Sequence, residues 1–208
     1  MMTGRKSDVW EVQPGERRHP GVIHGVIALV LLILAIAVSR LCSFSLVLPL
    51  PLGKFMLTYF SPATTVQVVG GMWFGMWGVI AGMLFPVIGG FIGGQPLVVN
   101  LLLIPVNIVQ SVAAVWVFRR WRRDPRLATF ADWVVFILVV GLLMNIPAAI
   151  WVTAVYWRFG IASGSWIIFL VSYIIGHGLP PAVLGAVLLK AFSGVVVRSR
   201  VFCKGWWA

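Results

Sequence analysis

The chain alternates long apolar runs with short polar or basic segments. The first run, 22–39, begins after the basic pair Arg17 and Arg18 and ends at Arg40. As a helix rising 1.5 Å per residue, such a run crosses roughly 27 Å of hydrocarbon. The pattern predicts an all-α bundle of six transmembrane helices. The other five predicted spans are 63–75, 77–91, 97–118, 132–157 and 166–192.

Two apolar stretches have alternative interpretations. The first run could be a cleaved signal peptide with its cleavage site at 35–37, but it is long for an h-region and three acids precede it, which favours a retained span. The stretch 41–62 is interrupted by prolines, a glycine and a lysine, which favours a re-entrant or surface loop over a helix. Between spans two and three, the segment 70–75 must hold a tight turn.

Basic residues flank the predicted spans and indicate their direction. They occur before the first span, at 119–126, and at Lys190, Arg198, Arg200 and Lys204. Positively charged segments stay on the cytoplasmic side, so both termini are predicted to be cytoplasmic in a plasma membrane protein. The organisation is then a tail at 1–20, a membrane domain at 21–193 and a basic tail at 194–208. The run 119–126 is either a topology anchor or a docking surface for anionic lipid or a cytoplasmic partner.

Composition agrees with this assignment and excludes several functions. The chain of 208 residues is 61% hydrophobic and 10% charged, with 16 Lys and Arg against 5 Asp and Glu, a net charge of +11. Its mean hydropathy of +1.02 is that of a membrane protein. The basic residues cluster at the ends of apolar runs, so nucleic acid is not predicted as a partner. No carboxylate lies between Arg17 and Arg123, which argues against paired-carboxylate hydrolysis and calcium or magnesium sites there.

Enzyme motifs are missing from the sequence. It contains neither a G-x-x-x-x-G-K-[ST] loop for nucleotide phosphates nor an H-E-x-x-H zinc motif. An intramembrane serine protease needs Gly-x-Ser-Gly, whereas residues 161–164 read Ile-Ala-Ser-Gly. We therefore predict that the chain is not an enzyme and has no cofactor and no metal site.

Polar side chains fall inside the predicted spans, where water cannot satisfy them. Asn107, Asn145 and His177 lie near the middle of spans four, five and six. Asn100 shares a helix face with Asn107, and Tyr173 shares one with His177. Prolines near these positions should interrupt the helices and free backbone carbonyls. These groups either bond between helices or line a ligand pocket open to the outside.

Small residues recur at four-residue spacing and predict close helix contacts. Such spacing occurs at 71–75 and at 78–82 within spans two and three. Gly21, Gly25 and Ala28 repeat it on span one. The partner of span one could be another helix of this chain or a helix of another protein.

The segment 74–82, Phe-Gly-Met-Trp-Gly-Val-Ile-Ala-Gly, carries a family resemblance when read with the overall layout. The layout has four relevant features: six spans in about 200 residues, an outward loop before span two, a glycine-rich turn, and Asn100 followed by a basic segment that ends the span. Together these features resemble the substrate-binding S components of energy-coupling factor (ECF) transporters. The resemblance covers residues 20 to 193.

The resemblance implies a subunit that captures a small, vitamin-like organic molecule from outside. Such a subunit would dock through Gly21, Gly25 and Ala28 onto a coupling membrane subunit energised by two ABC ATPases. The implied substrate-binding positions, chosen by depth and helix face, are 46–54, Asn100, Asn107, Asn145, Tyr173 and His177. A cobalt or nickel binder with an N-terminal Met-His is not supported, because residues 1–3 are Met-Met-Thr. The alternatives are a membrane sensor or scaffold that transports nothing, and a purely structural bundle.

Overall fold

The computed structural model describes residues 9–12, 21–45, 49–52, 55–58 and 60–207. Within these residues the protein is predominantly α-helical, as the apolar pattern predicted. Four helical stretches are long and apolar enough to cross a membrane: Val22–Cys42, Leu97–Arg120, Phe130–Arg158 and Trp166–Val196. Many large apolar side chains on these helices are exposed, as a lipid-facing surface requires. The chain is therefore a helical membrane protein.

Each predicted span contains a helix or a pair of successive helices. These are α1 Val22–Ser45, α2 Ala63–Phe74, α3 Met76–Ile92, α4 Leu97–Leu102, α5 Ile104–Arg120, α6 Phe130–Leu138, α7 Asn145–Arg158, α8 Trp166–Pro180 and α9 Ala186–Val196. With 12 and 17 residues, α2 and α3 are shorter than the roughly 20 that a crossing usually needs. Six crossings and two cytoplasmic termini therefore stay predictions.

The prolines expected to interrupt helices do lie at breaks. Pro105 occupies the first turn of α5, directly after α4 ends. A π-helical turn, Val139–Leu143, joins α6 to α7 just before Pro147. A second π-helical turn, Pro181–Gly185, joins α8 to α9. Such turns leave backbone carbonyls available to side chains within the bundle.

The segment predicted as a loop between spans one and two contains more regular structure than expected. Helix α1 continues past Arg40 to Ser45. Two short strands follow, β1 Pro49–Leu52 and β2 Phe55–Thr58, paired antiparallel. Of the implied substrate-binding stretch 46–54, residues 46–48 and 53–54 lie outside the described residues.

Glycines allow α2 and α3 to pack in close contact. The turn between them lies at Gly75, whose φ of 55° favours glycine. The Gly75 amide donates to the Gly71 carbonyl at 3.0 Å, which caps the C-terminal end of α2. A Cβ at Gly78 would collide with the backbone of Gly70 and Gly71. Helix α1 packs across this pair, with Leu31 against Gly70.

The C-terminal segment, residues 197–207, packs against one end of the bundle. This end carries the basic run 119–126 and is here called the basic end. The Arg119 guanidinium lies 5.0 Å from the ring of Trp10 and 4.7 Å from the ring of Trp206. It also donates to the Cys203 carbonyl at 2.8 Å. The Trp206 carbonyl accepts from the Met76 amide at 2.7 Å. Arg119 therefore joins both terminal segments to the bundle.

We expect Arg119→Gln to release the C-terminal segment. The variant loses two cation–π contacts, about 0.5–2 kcal/mol each, and a charged hydrogen bond. Trypsin cleavage after Arg200 and Lys204, followed by mass spectrometry, should become about tenfold faster. The neighbouring exposed residue Arg120 supplies the control, because Arg120→Gln removes none of these contacts. Equal cleavage in both variants would contradict this account.

Candidate functional site

A cavity of about 500 Å³ lies between the helices. Its walls come from seven helices, α1 to α5, α7 and α8, and from the turn before α4. On α5 it uses the N-terminal half, whereas the basic run follows the C-terminal end of that helix. The polar or charged lining residues are Ser39, Arg40, Ser61, Thr64, Gln67, Gln95, Asn100, Asn107, Gln110, Tyr156, Tyr173 and His177. Its volume is within the roughly 300–1,000 Å³ typical of small-molecule sites.

Four of the five polar residues proposed from the sequence line this cavity. Asn100 and Asn107 contribute from α4 and α5, and Tyr173 and His177 contribute from α8. The two asparagines share the cavity although the helix breaks between them. Asn145 is the exception and does not line it.

Asn107 has an anchored backbone and a side chain with an unused donor. Its carbonyl accepts from Gln67 Nε2 and from Ser111 Oγ, both at 2.7 Å. Gln67 Nε2 also donates to Ser111 Oγ at 2.9 Å. The side chain of Asn107 is only 6% exposed, and its Nδ2 has no hydrogen-bond partner among the described residues. A buried amide nitrogen without a partner costs about 1–3 kcal/mol, so it marks a position for an acceptor.

Tyr173 and His177 form an aromatic wall of the cavity. Their rings stack with centroids 3.9 Å apart and an interplanar angle of 10°. His177 Nδ1 lies 3.2 Å from the Tyr173 carbonyl. This contact fixes the ring orientation, because a side chain held at both its face and its edge cannot rotate freely. Gln110 Nε2 donates to the Tyr173 hydroxyl at 3.5 Å from the facing helix.

The turn between α3 and α4 positions a second set of amides. The Gln95 amide donates to the Gly90 carbonyl at 2.9 Å, and its side-chain Nε2 donates to the Tyr156 hydroxyl at 3.0 Å. Asn100 Nδ2 donates to the Gln95 carbonyl at 3.3 Å. A Cβ at Gly90 would collide with Asn100 Oδ1, so glycine there makes room for this amide.

Asn145 bonds within the bundle instead. Its Nδ2 donates to the Val140 carbonyl at 2.6 Å, in the π-helical turn. Its Oδ1 accepts from Gln110 Nε2 at 2.9 Å. The side chain is fully buried. Asn145 therefore positions Gln110, which does line the cavity, and the substrate contact expected of it from the sequence stays a prediction.

Several lining residues were not proposed as site residues from the sequence. Arg40, Gln67, Gln95, Gln110 and Tyr156 all line the cavity. The sequence could have indicated Gln67 and Gln110, because each is an amide side chain within a predicted span, as Asn107 is. Gln95 lies in a turn and Arg40 at a predicted span end, so neither position indicated depth in the bundle.

The residues proposed for docking lie at the N-terminal end of α1: Gly21 directly precedes the helix, and Gly25 and Ala28 are within it. A Cβ at either Gly21 or Gly25 would meet nothing within 4 Å. Ala28 is half-buried on the same helix. Helix α1 is the least buried of the four long helices. Gly21 and Gly25 therefore do not serve packing within the described part of this chain.

Comparison with known proteins identifies no relative: no family model, no curated protein and no solved structure matches the chain. The resemblance to ECF S components rests on the segment 74–82 and on the layout.

Proposed function

We propose that this chain is the membrane-embedded binding subunit of an uptake transporter for a small, vitamin-like organic molecule, energised by separate ATPase subunits. The observation that carries the proposal is the cavity of about 500 Å³ with the unpaired Asn107 amide in its wall. Among the described residues that have a buried polar atom without a partner, Asn107 is the one that lines the cavity. We propose that its Nδ2 donates to the ligand.

The chemistry of the lining is that of recognition without catalysis. Amides, hydroxyls and stacked aromatic rings surround the cavity, and no carboxylate is among its lining residues in the described part of the chain. Side chains of this kind orient an organic ligand through hydrogen bonds and ring contacts. We therefore propose binding with no enzymatic step, cofactor or metal ion.

The proposed orientation turns the cavity outward. If the positive-inside rule holds, the basic end is cytoplasmic in a plasma membrane, and both termini lie on that side. The cavity uses the N-terminal half of α5, away from the basic run after Arg120. A molecule would then enter from outside the cell, with six crossings completing the topology.

The N-terminal end of α1 is the proposed docking surface for a coupling membrane subunit. Gly21 and Gly25 leave its backbone accessible, and Ala28 continues the small surface. Small residues allow close helix approach in lipid, where packing drives association. The coupling subunit would in turn bring two ABC ATPases.

The proposal is tested by purifying the protein in mild detergent and detecting a co-purifying small molecule by mass spectrometry. We expect Asn107→Leu and His177→Leu to reduce its amount about tenfold or more, because each removes a polar group from the lining of the cavity. The thermal midpoint should change little for Asn107→Leu, since Nδ2 loses no partner among the described residues.

Thr153→Val is the control for this experiment. Thr153 is buried on α7 and its hydroxyl donates to the Ala149 carbonyl at 2.6 Å, but it does not line the cavity. This variant should retain the molecule at the wild-type level. Unchanged retention in both cavity variants would remove Asn107 and His177 from the site. A protein that purifies without any small molecule and binds a partner through α1 would favour the sensor or scaffold alternative.

A further inference from the structure

Arg40 places a positive charge in the wall of the cavity. It lies near the C-terminal end of α1 and is half-buried. Its Nη2 donates to the Gly89 carbonyl at 3.2 Å. A guanidinium has five N–H donors, and a carbonyl oxygen carries no net charge. The Gly89 contact therefore orients the side chain but leaves its charge uncompensated.

No acidic group of the described residues compensates this charge. The ion pairs Arg123–Asp132 and Arg126–Asp124 are both at the basic end. The sequence has no Asp or Glu from Arg17 to Arg123, so the helices around Arg40 up to the end of α5 contain none. A half-buried cation without an ionic partner, in the wall of a membrane-protein cavity, is costly and typically marks the pathway or site of an anion.

A second, independent observation points to the same ligand chemistry. Asn107 Nδ2 is a buried donor without a partner among the described residues, and it lines the same cavity from α5. The site therefore offers a charged donor from one helix and a neutral donor from another. Both need acceptor oxygens, which a carboxylate and the polar groups of an organic acid provide.

We infer that the cavity binds a small organic molecule bearing a single carboxylate, with Arg40 as its ionic partner; this rests on the proposed function and names its ligand class. A cation is disfavoured because Arg40 would repel it. A phosphate, at close to two negative charges, would exceed the single guanidinium among the described residues that line the cavity. One carboxylate balances Arg40 and leaves the pocket neutral.

The inference is tested by measuring how fast phenylglyoxal, an arginine reagent, modifies Arg40 in the detergent-exchanged protein, using peptide mass spectrometry. Benzoate at saturation should slow modification at least about fivefold, the factor 1 + [L]/Kd at four-fifths occupancy. Benzamide, which has the same ring without the charge, should have no effect. Arg158, which is exposed at the end of α7, is the internal control and should react equally with every additive.

Three outcomes would overturn the inference. Equal protection by benzoate and benzamide would remove the role of charge, and no protection by either would remove the site. Protection by inorganic phosphate but not by benzoate would instead indicate that Arg40 binds a lipid headgroup.

Retention of the co-purifying molecule separates this inference from the proposed function. Arg40→Gln should reduce retention about tenfold, Arg40→Lys should restore part of it, and Arg158→Gln should leave it unchanged. A retained molecule that carries no acidic group would overturn the assignment of Arg40 but leave the binding function in place. Protection of Arg40 by benzoate without any retained molecule would support the carboxylate site while counting against the proposed function.

Discussion

Gly78→Ala is expected to lower the free energy of unfolding by about 3 kcal/mol or more, at or beyond the upper end of ordinary overpacking. The added Cβ would overlap the backbone of Gly70 and Gly71 on α2. Flexible side chains can rotate away from such an overlap, but backbone atoms cannot. The two helices would have to separate, with loss of their packing against α1. Thermal unfolding in detergent, followed by tryptophan fluorescence, measures the effect.

Gly194→Ala is the matched control. Gly194 is also within a helix, α9, but a Cβ there would meet nothing within 4 Å. Alanine favours the helical backbone by about 0.5–1 kcal/mol relative to glycine, so this variant should be neutral or slightly more stable. Equal unfolding midpoints for the two variants would show that α2 and α3 are not in the close contact described.

The positions of the helices could be predicted because a long apolar run has few alternatives in a membrane chain. The spacing of Gly78 and Gly82 also indicated a face for close packing, and Gly78 does lie against α2. Tyr173 and His177, four residues apart, stack as their shared face implied. These features depend only on residues near one another in the sequence, so a linear pattern contains them.

The residues that contact one another across the fold could not be predicted from the sequence, because these contacts depend on how separate helices converge. Arg40, Gln67 and Gln95 reach one cavity from three parts of the chain, and no spacing in the sequence relates them. The docking of Trp206 onto Arg119 likewise joins residues far apart in the chain. Charge and hydropathy indicated a basic tail, but gave no sign that this tail packs on the bundle.

Asn145 shows that depth in a span predicts burial but not the hydrogen-bond partners of a side chain. Its position in the middle of span five was predicted well, and the side chain is fully buried. The π-helical turn before it makes the Val140 carbonyl available, and Gln110 approaches from α5. Both of these hydrogen bonds are to groups of the protein, and Asn145 is not among the residues that line the cavity. A one-dimensional pattern cannot distinguish this case from Asn107.

Asn145→Leu should therefore destabilise the protein more than Asn107→Leu, although the two substitutions are chemically identical. It leaves the Val140 carbonyl and one Gln110 N–H without a hydrogen-bond partner, and each loss lowers the free energy of unfolding by about 1–3 kcal/mol. Leucine keeps the number and branching of the side-chain heavy atoms, although its methyl groups are larger than the amide atoms they replace. Thermal unfolding of both variants measures the difference.

A double-substitution cycle tests the assignment of Asn145 directly. Asn145 and Gln110 share a hydrogen bond of 2.9 Å. The double variant Asn145→Leu with Gln110→Leu should therefore be more stable than the sum of the losses in Asn145→Leu and Gln110→Leu implies. In the double variant, neither the Asn145 amide nor the Gln110 amide is present, so the loss of their shared hydrogen bond leaves no buried amide without its partner. Suppose instead that Asn145→Leu keeps the wild-type midpoint and loses the co-purifying molecule. Asn145 would then contact the ligand itself, and its bonds to Val140 and Gln110 would not be what holds this part of the bundle together.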